Sequence, residues 1–162
     1  MTIGAGDRMP EATLFEMTDD GPSRTTVSEV FSGKTVALFG VPGAFTPTCH
    51  MKHMPGFVDN ADALRQRGFD EVICITVNDP FVAGEWGRAT GATNAGIRII
   101  CDPDAALTQA LGLAFDGSAG GLGVRSQRYS AIVKDGVFVT LNREDDRKQV
   151  AASSAGHLLT QL

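Results

Sequence analysis

The sequence predicts an α/β fold in which a central mixed β-sheet carries helices on both faces. Three features carry that expectation. Short, nearly continuous apolar runs occupy residues 34–41 (KTVALFGV) and 71–77 (EVICITV), each is followed by a helical pattern opened by cap-type residues, and a late strand pair is joined by Asp135-Gly136. An apolar run without polar alternation reads as a strand buried on both faces. Alternating strands and helices imply parallel pairing, and a two-residue turn adds antiparallel strands to the same sheet.

Residues 4–13 form a polar lead-in bearing glycine and proline, and residues 26–31 suit one short helical turn ended by Ser32-Gly33. Residues 34–41 are the first buried strand. The turn-rich stretch 42–47 delivers the chain to a helix, with Thr46 a good N-cap and Pro47 suited to the first helical position. Cys49 then falls in the first turn. Pro55-Gly56 is expected to kink or interrupt this helix, which resumes over 57–67 and ends at Gly68.

Residues 71–77 are the second buried strand, and Asn78-Asp79-Pro80 caps a helix to about Ala89 with Phe81, Val82 and Trp86 on its apolar face. A third strand at 97–100 precedes a helix opened by Asp102-Pro103 and ending near Leu111. Residues 117–123 are a glycine-rich connector without the GxxxxGK[ST] pattern of a phosphate loop. Residues 129–134 and 137–141 make a hairpin, and 150–161 a closing helix weakest at Gly156. This order is the logic of a thioredoxin-like fold, expected as one domain over residues 1–162, with ligands at the C-terminal ends of the strands.

Composition excludes several classes of function. A formal net charge of −5 and a pI near 5.1 are the wrong sign for tracking phosphates, so no nucleic-acid partner is expected. Arg143, Arg147 and Lys148 cluster, but Glu144, Asp145 and Asp146 lie among them, as in a solvated loop. The N-terminal residues lack a basic segment followed by an apolar core, and no apolar run approaches the ~20 residues that span a bilayer. No membrane association is expected. Three cysteines without a CxxC pair make no secreted disulfide framework, which points to a reducing, cytoplasmic compartment.

Cys49 is the residue with the most chemistry to offer. Unpaired backbone N–H groups and the positive end of the dipole at a helix N-terminus favour the nucleophilic thiolate. The alternative is a small buried hydrophobe, the common fate of a free cysteine. Cys49 and His53 are also spaced i, i+4, as for shared zinc ligation or a Cys–His nucleophile pair. Zinc would need a further ligand that the neighbouring sequence does not offer, so no metal is expected and His53 reads as a packed or hydrogen-bonded histidine.

The segment Pro42-Gly43-Ala44-Phe45-Thr46-Pro47-Thr48-Cys49 resembles the peroxidatic-cysteine signature of the peroxiredoxins, in the form typical of the type II, peroxiredoxin-5-like group. Further matches follow in order: His53 with Pro55-Gly56-Phe57, then VNDPF at 77–81, then GVRSQRYS at 123–130. The resemblance implies a thiol-dependent peroxidase for hydrogen peroxide and alkyl hydroperoxides, serving antioxidant defence and redox homeostasis. It implies a peroxidatic role for Cys49, passing through a sulfenic acid. Thr46 would hold peroxide and sulfur in register, Pro42 would shield the sulfenate, Gly43 would belong to the same substrate pocket, and Arg128 would lie beside the thiolate. A surface ion pair is the plain alternative for Arg128, and Arg125 competes for the same role. The physics of the reaction agrees: substitution at an O–O bond needs alignment, and fixed donors stabilise charge on the leaving oxygen.

Cys74 lies in an apolar strand, where packing is the default. Plant-type members of the family have a cysteine in that strand, so it is also a possible resolving thiol, although pairing with Cys49 would require local unfolding. Cys101 reads as packing. Some relatives carry a resolving cysteine before the last helix, but residues 142–154 contain none. The expected route is therefore regeneration of a sulfenic acid, at the mouth of the peroxide pocket, by an external thiol: glutathione with glutaredoxin, or thioredoxin. No haem, flavin or other cofactor is implied. A homodimer is, with Phe81, Trp86 and residues 120–125 near its interface. A redox-inert thioredoxin-fold module and a peroxide sensor are the rival readings.

Overall fold

The computed structural model describes residues 2–161. The chain runs β1 (Thr13–Thr18), β2 (Gly21–Thr26), α1 (Val27–Phe31), β3 (Thr35–Val41), a π-helical turn (Cys49–His53) leading into α2 (Met54–Gln66), β4 (Glu71–Thr76), α3 (Pro80–Thr90) and β5 (Arg98–Cys101). It continues through α4 (Ala106–Ala110), β6 (Ala114–Asp116), β7 (Val124–Ser126), β8 (Tyr129–Lys134), β9 (Val137–Arg143) and α5 (Ala155–Leu159). A seven-stranded mixed sheet has the order β2-β1-β5-β4-β3-β8-β9, and β6 and β7 form a separate ribbon. β3, β4 and β5 pair in parallel, whereas β8 joins β3 antiparallel.

The period-2 geometry of a strand explains why the two longest apolar runs sit at the centre. On β3, Val36 and Leu38 enter one core while Ala37, Phe39 and Val41 enter the other; on β4, Ile73 and Ile75 oppose Val72 and Cys74 in the same way. α1 and α4 cover the first face through Val30, Phe31 and Leu107. α2, α3 and α5 cover the second through Phe57, Leu64, Trp86 and Leu158. The Phe39 and Phe57 rings stack at 3.9 Å, nearly parallel at 6°, which fixes α2 over the end of β3. The helices-on-both-faces architecture is the one expected.

Several local expectations are corrected. The polar lead-in gives way at Thr13 to the β1–β2 hairpin, absent from the sequence reading because β2 is an exposed edge strand with no apolar alternation. Pro55 does not interrupt the helix. The Met54 N–H instead bonds the Cys49 carbonyl, an i→i−5 step, so Pro55 falls in the first turn of α2 where its missing N–H is tolerated. α4 begins only at Ala106, because the Asp102 carboxylate reaches forward to the N–H groups of Leu107 (3.2 Å) and Thr108 (2.8 Å). The closing helix is confined to Ala155–Leu159, capped by Ser154. On α3 only Trp86 of the three apolar residues is buried; Phe81 is 68% and Val82 36% exposed. Asp135 and Gly136 both take positive φ (48° and 75°), the conformation that a two-residue hairpin turn requires.

Candidate active site

The site is built where β3 ends. After Val41 the chain turns through Pro42 and Gly43, both buried, and Phe45 is held at φ 63°, a left-handed conformation costing about 1–2 kcal/mol for a residue with a Cβ. That reversal is held from β4's side by the Asn78 carboxamide oxygen, which accepts the Ala44 N–H at 2.9 Å. Helical conformation begins at Pro47, and the Thr46 carbonyl accepts the His50 N–H at 2.9 Å. Thr46 and Pro47 therefore stand at the helix start, with Cys49 in the first turn, but the Thr46 hydroxyl meets the Gly43 carbonyl and the Cys49 sulfur instead of capping a backbone N–H.

Cys49 has no exposed surface, and its sulfur has two polar neighbours. Thr46 Oγ1 lies 3.0 Å from Sγ and Arg128 Nη2 donates to it across 3.1 Å. Thr46 Oγ1 also lies 2.7 Å from the Gly43 carbonyl, so its single proton has two candidate acceptors. A thiol can donate to Oγ1 while the hydroxyl donates to Gly43; a thiolate draws the hydroxyl proton to sulfur. The threonine satisfies either protonation state of the cysteine without moving.

Arg128 is 1% exposed and uses each nitrogen of its guanidinium. Besides Cys49, it donates from Nε to the Arg147 carbonyl at 2.9 Å and from Nη1 to His53 Nδ1 at 2.8 Å. His53 Nε2 is 2.9 Å from the Ser153 carbonyl, which can only accept. These contacts assign the histidine as neutral with its proton on Nε2. Burial, followed by the Arg128 charge, pushes its pKa down to about 3. Cys49 and His53 do not form a nucleophile pair, because Arg128 stands between them. Both ring nitrogens are engaged, and among the described residues no cluster of three His, Cys, Asp or Glu side chains is arranged to hold a metal.

Arg125 lies elsewhere, donating to the carbonyls of Leu122 (2.9 Å) and Pro42 (3.2 Å). Gly43 is needed for that approach, since a Cβ there would run into the Arg125 guanidinium and crowd the Thr46 methyl. Gly43 thus serves by its backbone and its small size, while Pro42 lines the cavity directly. That cavity, of about 300 Å³, is lined by Pro42, Thr46 and Arg128 together with Phe115, Leu122 and Arg147. The Arg147 guanidinium sits 3.8 Å from the Phe115 ring centroid. Cys49 lies behind Thr46 and Arg128 rather than at the cavity mouth.

Cys74 is fully buried on β4 and its pKa is raised, first by burial and then by the neighbouring thiols Cys49 and Cys101. Burial, with smaller contributions from Asp79 and Glu16, pushes Cys101 up to about 12. Both thiols stay protonated in the fold.

Sequence reasoning missed two features. The loop following β9, read as solvated, buries Glu144 and supplies the Arg147 carbonyl to Arg128. His50 accepts the Trp86 indole N–H at 3.1 Å and stacks on Phe45, tying α3 to the residue after Cys49. The resemblance at His53 and Arg128 marked two members of this network, but no local pattern connects them.

The chain is similar to known proteins over nearly its whole length. The redoxin family pattern matches residues 4–159. Arabidopsis thaliana peroxiredoxin-2B is 42% identical over 99% of this chain and 98% of its own. Rice (Oryza sativa) peroxiredoxin-2E-2 is 42% identical over 99% of this chain and 73% of its own. A crystal structure of reduced Prx3 from Vibrio vulnificus in complex with hydrogen peroxide superposes with a TM-score of 0.92, at 44% identity, over 99% of each chain. The rice relative is named chloroplastic, which overturns the cytoplasmic assignment. Unpaired cysteines mark a chain without a disulfide framework, which does not by itself distinguish one reducing compartment from another.

Proposed function

The chain belongs to the peroxiredoxins of the redoxin family, in the type II group, and from that premise we propose that Cys49 is the peroxidatic thiol of this thiol peroxidase. The observation that carries the reading is the Cys49 sulfur held between Thr46 Oγ1 (3.0 Å) and Arg128 Nη2 (3.1 Å), next to a cavity large enough for a hydroperoxide. The Cys49 thiolate attacks the terminal oxygen of the hydroperoxide. An S–O bond forms, the O–O bond breaks, and the leaving oxygen takes a proton to depart as water or an alcohol. Arg128 holds the thiolate and meets charge developing on oxygen, Thr46 aligns the peroxide, and Pro42 with Gly43 shapes the inner cavity. Hydrogen peroxide and alkyl hydroperoxides are the substrates, in antioxidant defence and redox homeostasis. Residues 1–162 act as one domain.

Regeneration is by an external thiol, which attacks the sulfenic sulfur and expels water before a second thiol releases Cys49. Glutathione with glutaredoxin is the preferred donor and thioredoxin the alternative. Support comes from Cys74, whose burial in β4 keeps it protonated and packed. A homodimer accounts for Phe45, Phe81 and Val82, which are 47%, 68% and 36% exposed; Trp86, being buried, adds nothing to that surface.

The test is steady-state peroxide consumption with each reductant, beside intact mass after one equivalent of peroxide. The reading expects faster turnover with glutathione and glutaredoxin, and a glutathione adduct that glutaredoxin removes. A species about two mass units light before any thiol is added would instead identify an internal disulfide.

A further inference from the structure

Two of the three contacts that orient Arg128 trace to one irregular segment, residues 144–153, which carries no helix or strand. Resting on the role of Arg128 given above, we propose that Glu144 is a positioning residue for that arginine, acting through Ser153 and His53.

Glu144 is 6% exposed whereas its neighbours Asp145 and Asp146 face solvent. One of its oxygens, Oε2, accepts three hydrogen bonds: from the Ala151 N–H (2.7 Å), the Ser153 N–H (2.8 Å) and the Ser153 hydroxyl (2.6 Å). Its own N–H donates to the Arg128 carbonyl at 3.0 Å. The carboxylate therefore closes the loop on itself while its backbone fastens the loop to the arginine's main chain. Charge-assisted bonds of this kind are short and directional.

Closing the loop fixes two carbonyls. That of Arg147 accepts from Arg128 Nε, and that of Ser153 accepts from His53 Nε2. The second contact fixes the tautomer: with the proton on Nε2, Nδ1 offers its lone pair to Arg128 Nη1. Without Glu144 the Ser153 carbonyl is free to leave, the imidazole loses its reason to hold one tautomer, and Arg128 keeps its third contact, to Cys49, without the other two. The same division of labour operates at metal sites, where partners behind the ligating histidines set their orientation.

The full chain is used throughout. The second-order rate constant for Cys49 oxidation by hydrogen peroxide is measured by quenched-flow mass spectrometry for Glu144→Ala and Glu144→Gln, each alone and combined with Arg128→Ala. Glu144→Ala is expected to slow oxidation about ten-fold, as small displacements of an aligning group do. Glu144→Gln, which keeps an acceptor oxygen, loses less, and it carries the test if the alanine variant unfolds. In the Arg128→Ala background neither substitution should change the rate by more than about two-fold, because its route of action is already gone. Nitrogen-15 spectra of His53 should move from the Nε2–H tautomer toward a mixture in the single variants. Wild-type rates in both Glu144 variants, or an equal fold-loss with and without Arg128, would overturn the proposal. If Arg128→Ala itself oxidised at the wild-type rate, the assigned role of Arg128 would fail first, a separate and recognisable outcome.

Discussion

Acid should weaken the fold through one residue. His53 is fully buried and neutral, with its pKa lowered from 6.5 to about 3, chiefly by burial and then by Arg128. In the unfolded chain the same imidazole takes a proton near pH 6.5. Its contribution is therefore complete above that value and is lost as pH falls, because only the unfolded state binds the proton until pH approaches 3. Each pH unit within that window removes about 1.4 kcal/mol, so about 2 kcal/mol is gone by pH 5 and about 5 kcal/mol below pH 3. Unfolded carboxylates titrate near pH ~4, so the interval from pH 7 to 5 isolates the histidines. The assay is urea unfolding at pH 7, 6 and 5 for the wild type and His53→Gln. The variant keeps His50 and His157, whose contributions cancel in the comparison. The wild type should lose about 2 kcal/mol more than the variant over this range. Equal losses in the two proteins would refute the reasoning.

Three further outcomes follow from the geometry. Arg128→Ala removes the guanidinium that donates to Cys49 and should slow peroxide reduction on the order of a hundred-fold; Arg125→Ala, which frees the Pro42 carbonyl, should cost far less, and stopped-flow oxidation rates compare them. Cys74→Ser should retain at least about half the activity with glutathione and glutaredoxin, since the buried thiol plays no part in that route; steady-state turnover decides. Phe81→Asp places a charge on an exposed apolar residue at the start of α3 and should shift the protein from dimer to monomer in sedimentation velocity, without lowering its melting temperature appreciably.

Some of this is legible in the sequence. The strands at 34–41 and 71–77 announced themselves because a chain buried on both faces has no choice but to be apolar throughout. The Cys49 turn was legible because Thr46-Pro47 is a local helix-start signal. β2 was not, since GPSRTT faces solvent at a sheet edge, although Asp20-Gly21 at its start is a recognisable turn. Pro55 reads as a helix breaker because the one i→i−5 step before it, which places it in the first turn of α2, leaves no mark in the sequence.

The support of the site was the least visible part. His53 and Arg128 are 75 residues apart, and His53 meets Ser153 across 100. Glu144 reads from sequence as one charge in an exposed cluster. Its burial depends on the backbone N–H groups of Ala151 and Ser153, which any residue type except proline would supply, and on the one Ser153 hydroxyl, which no local pattern ties to Glu144 nine residues earlier.

The central claim is that Cys49 alone carries the peroxide chemistry. It is tested most directly by peroxide turnover, with saturating external thiol, in Cys49→Ser, Cys74→Ser and Cys101→Ser. Loss of all turnover in Cys49→Ser, with activity retained in the other two, is the predicted result; catalytic turnover surviving in Cys49→Ser would contradict it.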